Sequence, residues 1–120
     1  MKYTEFGEMF RILRLKHHEV LADARDFLNV SSAFISAVEC GKKPVPEGWF
    51  EKIVEHYGLN AEESRELAES IEMSKQTIKI DVIGASATSK MAAIQFQRSF
   101  DQMDDETAKE LISILRRNGK

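Results

Sequence analysis

The 120-residue sequence holds one cysteine, two prolines and one tryptophan. A single thiol, Cys40, closes no disulfide within the chain, and nothing stands near it at metal-ligand spacing, so the fold must rest on packing and the expected compartment is a reducing one. Both prolines, Pro44 and Pro46, fall in one short stretch, and elsewhere no residue is barred from donating a backbone hydrogen bond. No run approaches the roughly 20 apolar residues that cross a bilayer. Met1 to Phe10 is polar, without the apolar core of an export signal, so the expectation is a cytoplasmic chain with no membrane partner. There is no glycine-rich phosphate loop, no paired catalytic carboxylates and no strand-turn-helix elbow around Ser31, Ser32 or Ser36. Binding is therefore expected, not catalysis, with no cofactor and no metal. Basic excess is missing too: 17 Lys+Arg against 20 Asp+Glu gives a net charge of −3. Binders of nucleic acid release counterions through positive charge, so any such footprint on this chain must be local.

What is present is the material of a globular core, with 42% apolar and 31% charged residues. Phe6, Met9, Phe10 and Leu13 recur at the spacing of one helical face and predict a first helix over residues 4–16. Leu21, Ala24 and Leu28 predict a second, broken by Asn29-Val30-Ser31, where Ser31 can cap a third. The third keeps Ile35 and Val38 inward and ends at Gly41, a residue type that tolerates the left-handed conformation after a helix. Beyond the proline loop, Phe50, Ile53, Val54 and Tyr57 mark a fourth helix stopped by Gly58. Asn60 with Glu63 reads as a capping pair for an acidic fifth, ending near Ser74.

Thr77 to Ile83 alternates Ile78, Ile80 and Val82 with Lys79 and Asp81, the period of a half-buried strand. A lone strand leaves its amides and carbonyls unpaired. Either the same strand of a second subunit pairs with it, or it is an extended connector hydrogen-bonded to water. Ala93, Phe96 and Phe100 then mark a sixth helix, and Leu111, Ile112 and Leu115 a seventh, capped by Asp104. The fold class expected is all-α: five helices over residues 1–74, then a C-terminal strand and two helices over residues 75–120.

The run Val30-Ser31-Ser32-Ala33-Phe34-Ile35-Ser36-Ala37-Val38-Glu39-Cys40-Gly41-Lys42-Lys43 resembles the second half of the helix-turn-helix of the Cro and lambda-repressor (Xre) family, with its Val-Ser, Ile-Ser, Glu and Gly-Lys elements. Helix order extends the resemblance from residue 5 to about 72. Two positions differ: Leu21 stands where the family often has glutamine, and Arg25 stands where a small residue sits at the helix crossing, with Ala24 one position earlier. The resemblance implies a five-helix lambda-repressor-like domain whose third helix enters the major groove of double-stranded DNA. Ser32, Ala33, Ser36 and Ala37 would then face base edges, with serine hydroxyls donating or accepting and alanine offering a methyl to thymine. Lys42 and Lys43, with Lys16 as an alternative to a plain surface charge, would contact phosphates. Arg14 and Glu39 would form a structural ion pair between the first helix and the end of the third.

The function implied is a transcriptional repressor working as a homodimer on a palindromic operator, with residues 75–120 building the dimer or holding a partner. Two other readings stand beside it. One is an antitoxin that represses its own operon and holds a toxin or regulatory protein through residues 75–120. The other is a protein-interaction module that kept the scaffold and lost DNA binding. His17-His18 reads as a polar helix end, since adjacent residues point apart. Cys40 reads as a small buried hydrophobe, the alternative being a thiol activated by the neighbouring lysines.

Overall fold

The computed structural model describes residues 2–119. It holds seven α-helices among them: α1 (Glu5–Lys16), α2 (Leu21–Leu28), α3 (Ser32–Glu39), α4 (Trp49–Tyr57), α5 (Ala61–Met73), α6 (Ala87–Ser99) and α7 (Asp105–Gly119), with a short 3₁₀ turn at Phe100–Gln102. The chain is all-α. It divides into two compact units, Met1–Ile78 and Lys79–Lys120.

In the first unit, α1 packs on α3 and α5, while α2 packs on α3 and α4. One core results. Phe6, Phe10, Ala24, Ile35, Ile53 and Leu67 are each fully buried there, joined by Leu13, Leu28, Val38, Trp49 and Tyr57. Trp49 is at its centre, its ring 6.2 Å from Phe6, 6.3 Å from Phe10 and 6.0 Å from Phe34. Such offset and tilted contacts between rings add to what their burial already contributes.

The helix ends follow from local chemistry. Thr4 caps α1, its Oγ1 accepting from the Gly7 amide, and Ser31 caps α3 by accepting from the Phe34 amide. Asn60 and Glu63 cap α5 reciprocally at 2.8 and 2.9 Å. At α2 the N-cap is Val20, which offers no side-chain acceptor. Only the Asp23 half of the box forms there, its carboxylate accepting from the Val20 amide. Asn29 ends α2 and Gly58 ends α4, both in the left-handed region.

The expected strand is not formed: among the described residues there is no strand at all. Residues 77–82 form no ladder and no helix. Asp81 Oδ1 accepts from the Ile83 amide, and the Ala85 amide bonds the Val82 carbonyl in a turn at Gly84. Ile78, Ile80 and Ile83 are 78%, 65% and 91% exposed. Alternation supplies a face for burial, but a strand also needs a neighbour for its backbone groups, and the segment has none. In the second unit no residue from 79 to 117 is buried. Phe96, Phe100, Ile112 and Leu115, which mark the periodicity of α6 and α7, stand exposed.

Candidate nucleic-acid interface

α2 and α3 are joined through Asn29, Val30 and Ser31. Asn29 takes φ 57°, which reverses the chain after α2, and extended Ser31 starts α3. Ala24 is fully buried while Arg25 is exposed, so the small residue at the crossing of these helices is Ala24. α3 turns Ile35 and Val38 into the core. Its other side carries exposed Ala33 and half-buried Ser32, Ser36 and Ala37, four residues at i, i+3 and i+4 spacing on one face. That face is small, weakly polar and free of charge.

The C-terminus of α3 is closed by Gly41 at φ +79°. The Gly41 amide donates to the Val38 carbonyl at 3.1 Å and the Lys42 amide to the Ala37 carbonyl at 2.9 Å, the paired bonds of a Schellman motif. This sets Lys42 and Lys43, both exposed, directly past the end of the helix that presents the Ser/Ala face. Lys16 is exposed in the last turn of α1. At the other end of α1, Thr4 hydrogen-bonds the last residue of α3, whereas Lys16 makes no ion pair among the described residues.

The placement of α3 depends on Glu39. Its carboxylate meets the Arg14 guanidinium at 2.8 Å, with both side chains buried. Side chains on a helix lean toward its N-terminus. Arg14 does so across the Phe10 ring, 4.8 Å from its centroid, to reach Glu39. The Glu39 carbonyl also accepts from the Thr4 amide at 2.9 Å and the Thr4 hydroxyl at 3.1 Å. Gly7 lies against this carbonyl so closely that a β-carbon there would come within 2.2 Å of the oxygen. From the other side, Ser74 Oγ accepts from the Phe6 amide, and Gln76 Nε2 donates to the Gly41 carbonyl. Among the described residues, no buried side-chain nitrogen or oxygen lacks a partner. Thr4 and Gly7 are not singled out by sequence reasoning as contacts of α3, nor Ser74 as a contact of α1, nor Gln76 as a contact of Gly41. Thr4 sits before an apolar-periodic run with an acidic first turn, which is the one signal that marks it as a cap.

A second polar cluster ties the α1–α2 connection to α4. Tyr57 donates to Glu19 Oε1, and His56 Nε2 lies 2.9 Å from Glu19 Oε2. The His56 ring stacks on Phe27 at 3.9 Å and 7°. Burial first, then the hydrogen bond to the Glu19 carboxylate, pushes the Tyr57 phenol well above its ordinary value. His17 and His18 diverge at the end of α1, His17 toward Tyr57 with ring centroids 4.7 Å apart and His18 at φ 57°. Among the described residues, no three side chains gather as a metal site. Cys40 is half-buried. No protein-family model matches the chain, and neither the curated proteins nor the solved structures yield a significant match.

Proposed function

We propose that the chain is a sequence-specific DNA-binding repressor of the Cro and lambda-repressor type, acting as a homodimer on a palindromic site with α2 and α3 as its helix-turn-helix. One observation carries the reading. The outer face of α3 carries exposed Ala33 beside half-buried Ser32, Ser36 and Ala37 and is followed at once by exposed Lys42 and Lys43, while three separate contacts lock its far end to α1. A helix that must enter a groove needs a narrow outer face, and small side chains permit close approach to base edges. Serine and alanine commit weakly to any one base, so bridging water and DNA shape would share the reading. Lys42 and Lys43 would hold phosphates as point charges and set the depth of the helix.

The test is selection of bound sequences from a random duplex pool, followed by footprinting. Two protected half-sites about one helical turn apart, roughly 34 Å, are expected. No enrichment over random DNA at low salt would remove the reading. One observation favours a protein partner instead: the net charge is −3 and the exposed face of α5 is acidic, with Glu62, Glu66, Glu69 and Glu72 turned to solvent. Under that reading the chain is an interaction module or an antitoxin, and residues 75–120 hold the partner.

A further inference from the structure

The second unit cannot be explained by its own packing. Chains near the lower limit of about 40 residues rarely build a sufficient core without a staple or a partner. Here no residue of 79–117 is buried. α7 carries the clearer one-sided apolar pattern of the two helices in the unit. Asp104 caps it, accepting from the Thr107 amide at 2.8 Å, and Ala108, Leu111 and Leu115 recur at i, i+3 and i+7 along one stripe, flanked by Ile112 and Ile114. Leu115 is 66% exposed, Ile112 47% and Ile114 42%. Isolated helices of this length are marginal in water, and an apolar stripe is what a packing neighbour would cover.

The charges of α7 say which neighbour. Its first turn is acidic, Asp105 and Glu106, and its last turn is basic, Arg116 and Arg117, with the apolar stripe between them. Such a helix is complementary to itself turned end for end. We propose that α7 pairs antiparallel with α7 of a second copy about a two-fold axis near Leu111 and Ile112. Asp105 and Arg116 share one flank of the stripe, so Asp105 of each copy then lies beside Arg116 of the other, while Ala108 faces Leu115. A parallel pair would instead set acid on acid and base on base. A two-fold contact of this kind is self-complementary and closes after two subunits. The inference deepens the homodimer element of the proposed function and requires nothing of α3, so it is tested without DNA.

Sedimentation equilibrium of the full chain at micromolar concentration should show a dimer. Two charge variants carry the test: Asp105→Lys, whose seam flank is basic at both ends, and Arg116→Glu, whose seam flank is acidic at both ends. Each variant alone should dimerise about 10-fold more weakly than the unaltered chain, since two exposed pairs are lost and like charges take their place. An equimolar mixture should recover a heterodimer, because every junction is again acid against base, and recovery also shows that each variant is folded. Weakening of both variants relative to the unaltered chain identifies the antiparallel order, as a parallel pair starts from like charges and gains nothing from the original arrangement. Three results would overturn the proposal: a monomeric full chain at tens of micromolar, a dimer indifferent to both charge variants, or a mixture that stays monomeric. In a separate binding assay, loss of DNA affinity with the dimer intact would count against the helix-turn-helix reading alone.

Discussion

Gly7 occupies a helical position where alanine would ordinarily be the better residue by about 1 kcal/mol, because glycine has more backbone freedom to lose. The close approach of α3 reverses that preference. A β-carbon at residue 7 meets the Glu39 carbonyl oxygen at 2.2 Å, its carbonyl carbon at 2.9 Å and its α-carbon at 3.0 Å, all main-chain atoms that cannot rotate aside. The same carbonyl holds the Thr4 amide and hydroxyl, so a shift of α3 away from α1 breaks two hydrogen bonds and strains the buried Arg14–Glu39 pair. Gly7→Ala should therefore destabilise the protein by about 2–4 kcal/mol, the range for overpacking with lost buried polar contacts. Urea unfolding is the measurement, and an unchanged midpoint would mean that the two helices are less tightly apposed than described. Tyr57 gives a pH-dependent counterpart. Its phenol is raised by burial and by Glu19, so the protonated form is favoured in the folded state. Stability from this group is fully present below the unfolded value near 10 and is lost as pH rises beyond it. Tyr57→Phe should cost stability at pH 7, through the lost hydrogen bond to a carboxylate, and should flatten the decline above about pH 10. A variant that declines as steeply as the unaltered protein would remove Tyr57 as the source.

At the scale of elements, α3 separates two kinds of contact that DNA binding would use differently. Lys42 and Lys43 lie past a Schellman closure, outside the helix, whereas Ala33 and Ser36 project from its exposed face. Phosphates carry no base identity, so Lys42→Ala with Lys43→Ala should weaken binding to all sequences alike and reduce the salt slope by about two. Ser36→Ala or Ala33→Ser should shift base preference at one position of each half-site and leave the salt slope unchanged. Affinity across a salt series on two operators checks both, and a lysine variant that altered preference alone would reverse the assignment. The boundaries of α3 were legible beforehand because they are local: Ser31 as cap and Gly41 as terminator act within a few residues. The Arg14–Glu39 contact was legible only through resemblance, since nothing in the spacing of residues 14 and 39 brings them together. At 77–83 the connector alternative fits and the strand does not, because alternation reports which side chains could share a face, while strand formation depends on a partner that sequence periodicity does not supply. Gly7 and Gln76 were missed for a related reason: their contacts are long-range and set by how helices cross. Trp49 sits outside the periodic run of Phe50, Ile53 and Val54 and reaches the core from the first turn of α4.

For the whole molecule, the division at Ile78 and Lys79 separates a unit with a complete core from one in which no residue from 79 to 117 is buried. The first unit extends past the end of α5 for a physical reason: Ser74 holds the Phe6 amide and Gln76 holds the Gly41 carbonyl, so cutting at the last helical turn would remove contacts that position α1 and α3. A chain ending at Ile78 keeps every buried residue, from Phe6 to Ser70, and should fold with helical content and cooperative unfolding of its own. It should also be monomeric, because the apolar stripe of α7 is gone. On a two-half-site operator a full-length dimer would bind its second half-site at an effective concentration set by the link between subunits, and a truncated monomer would bind each half-site independently. The proposed reading thus expects truncation to lower operator affinity by orders of magnitude while leaving the salt slope per half-site intact. Sedimentation of both chains, together with titration of one-site and two-site duplexes, separates the contributions. If residues 1–78 dimerised as tightly as the full chain, α7 would be free of that task. Its exposed Ile112 and Leu115 would then belong to a contact with a different protein, as the antitoxin reading requires.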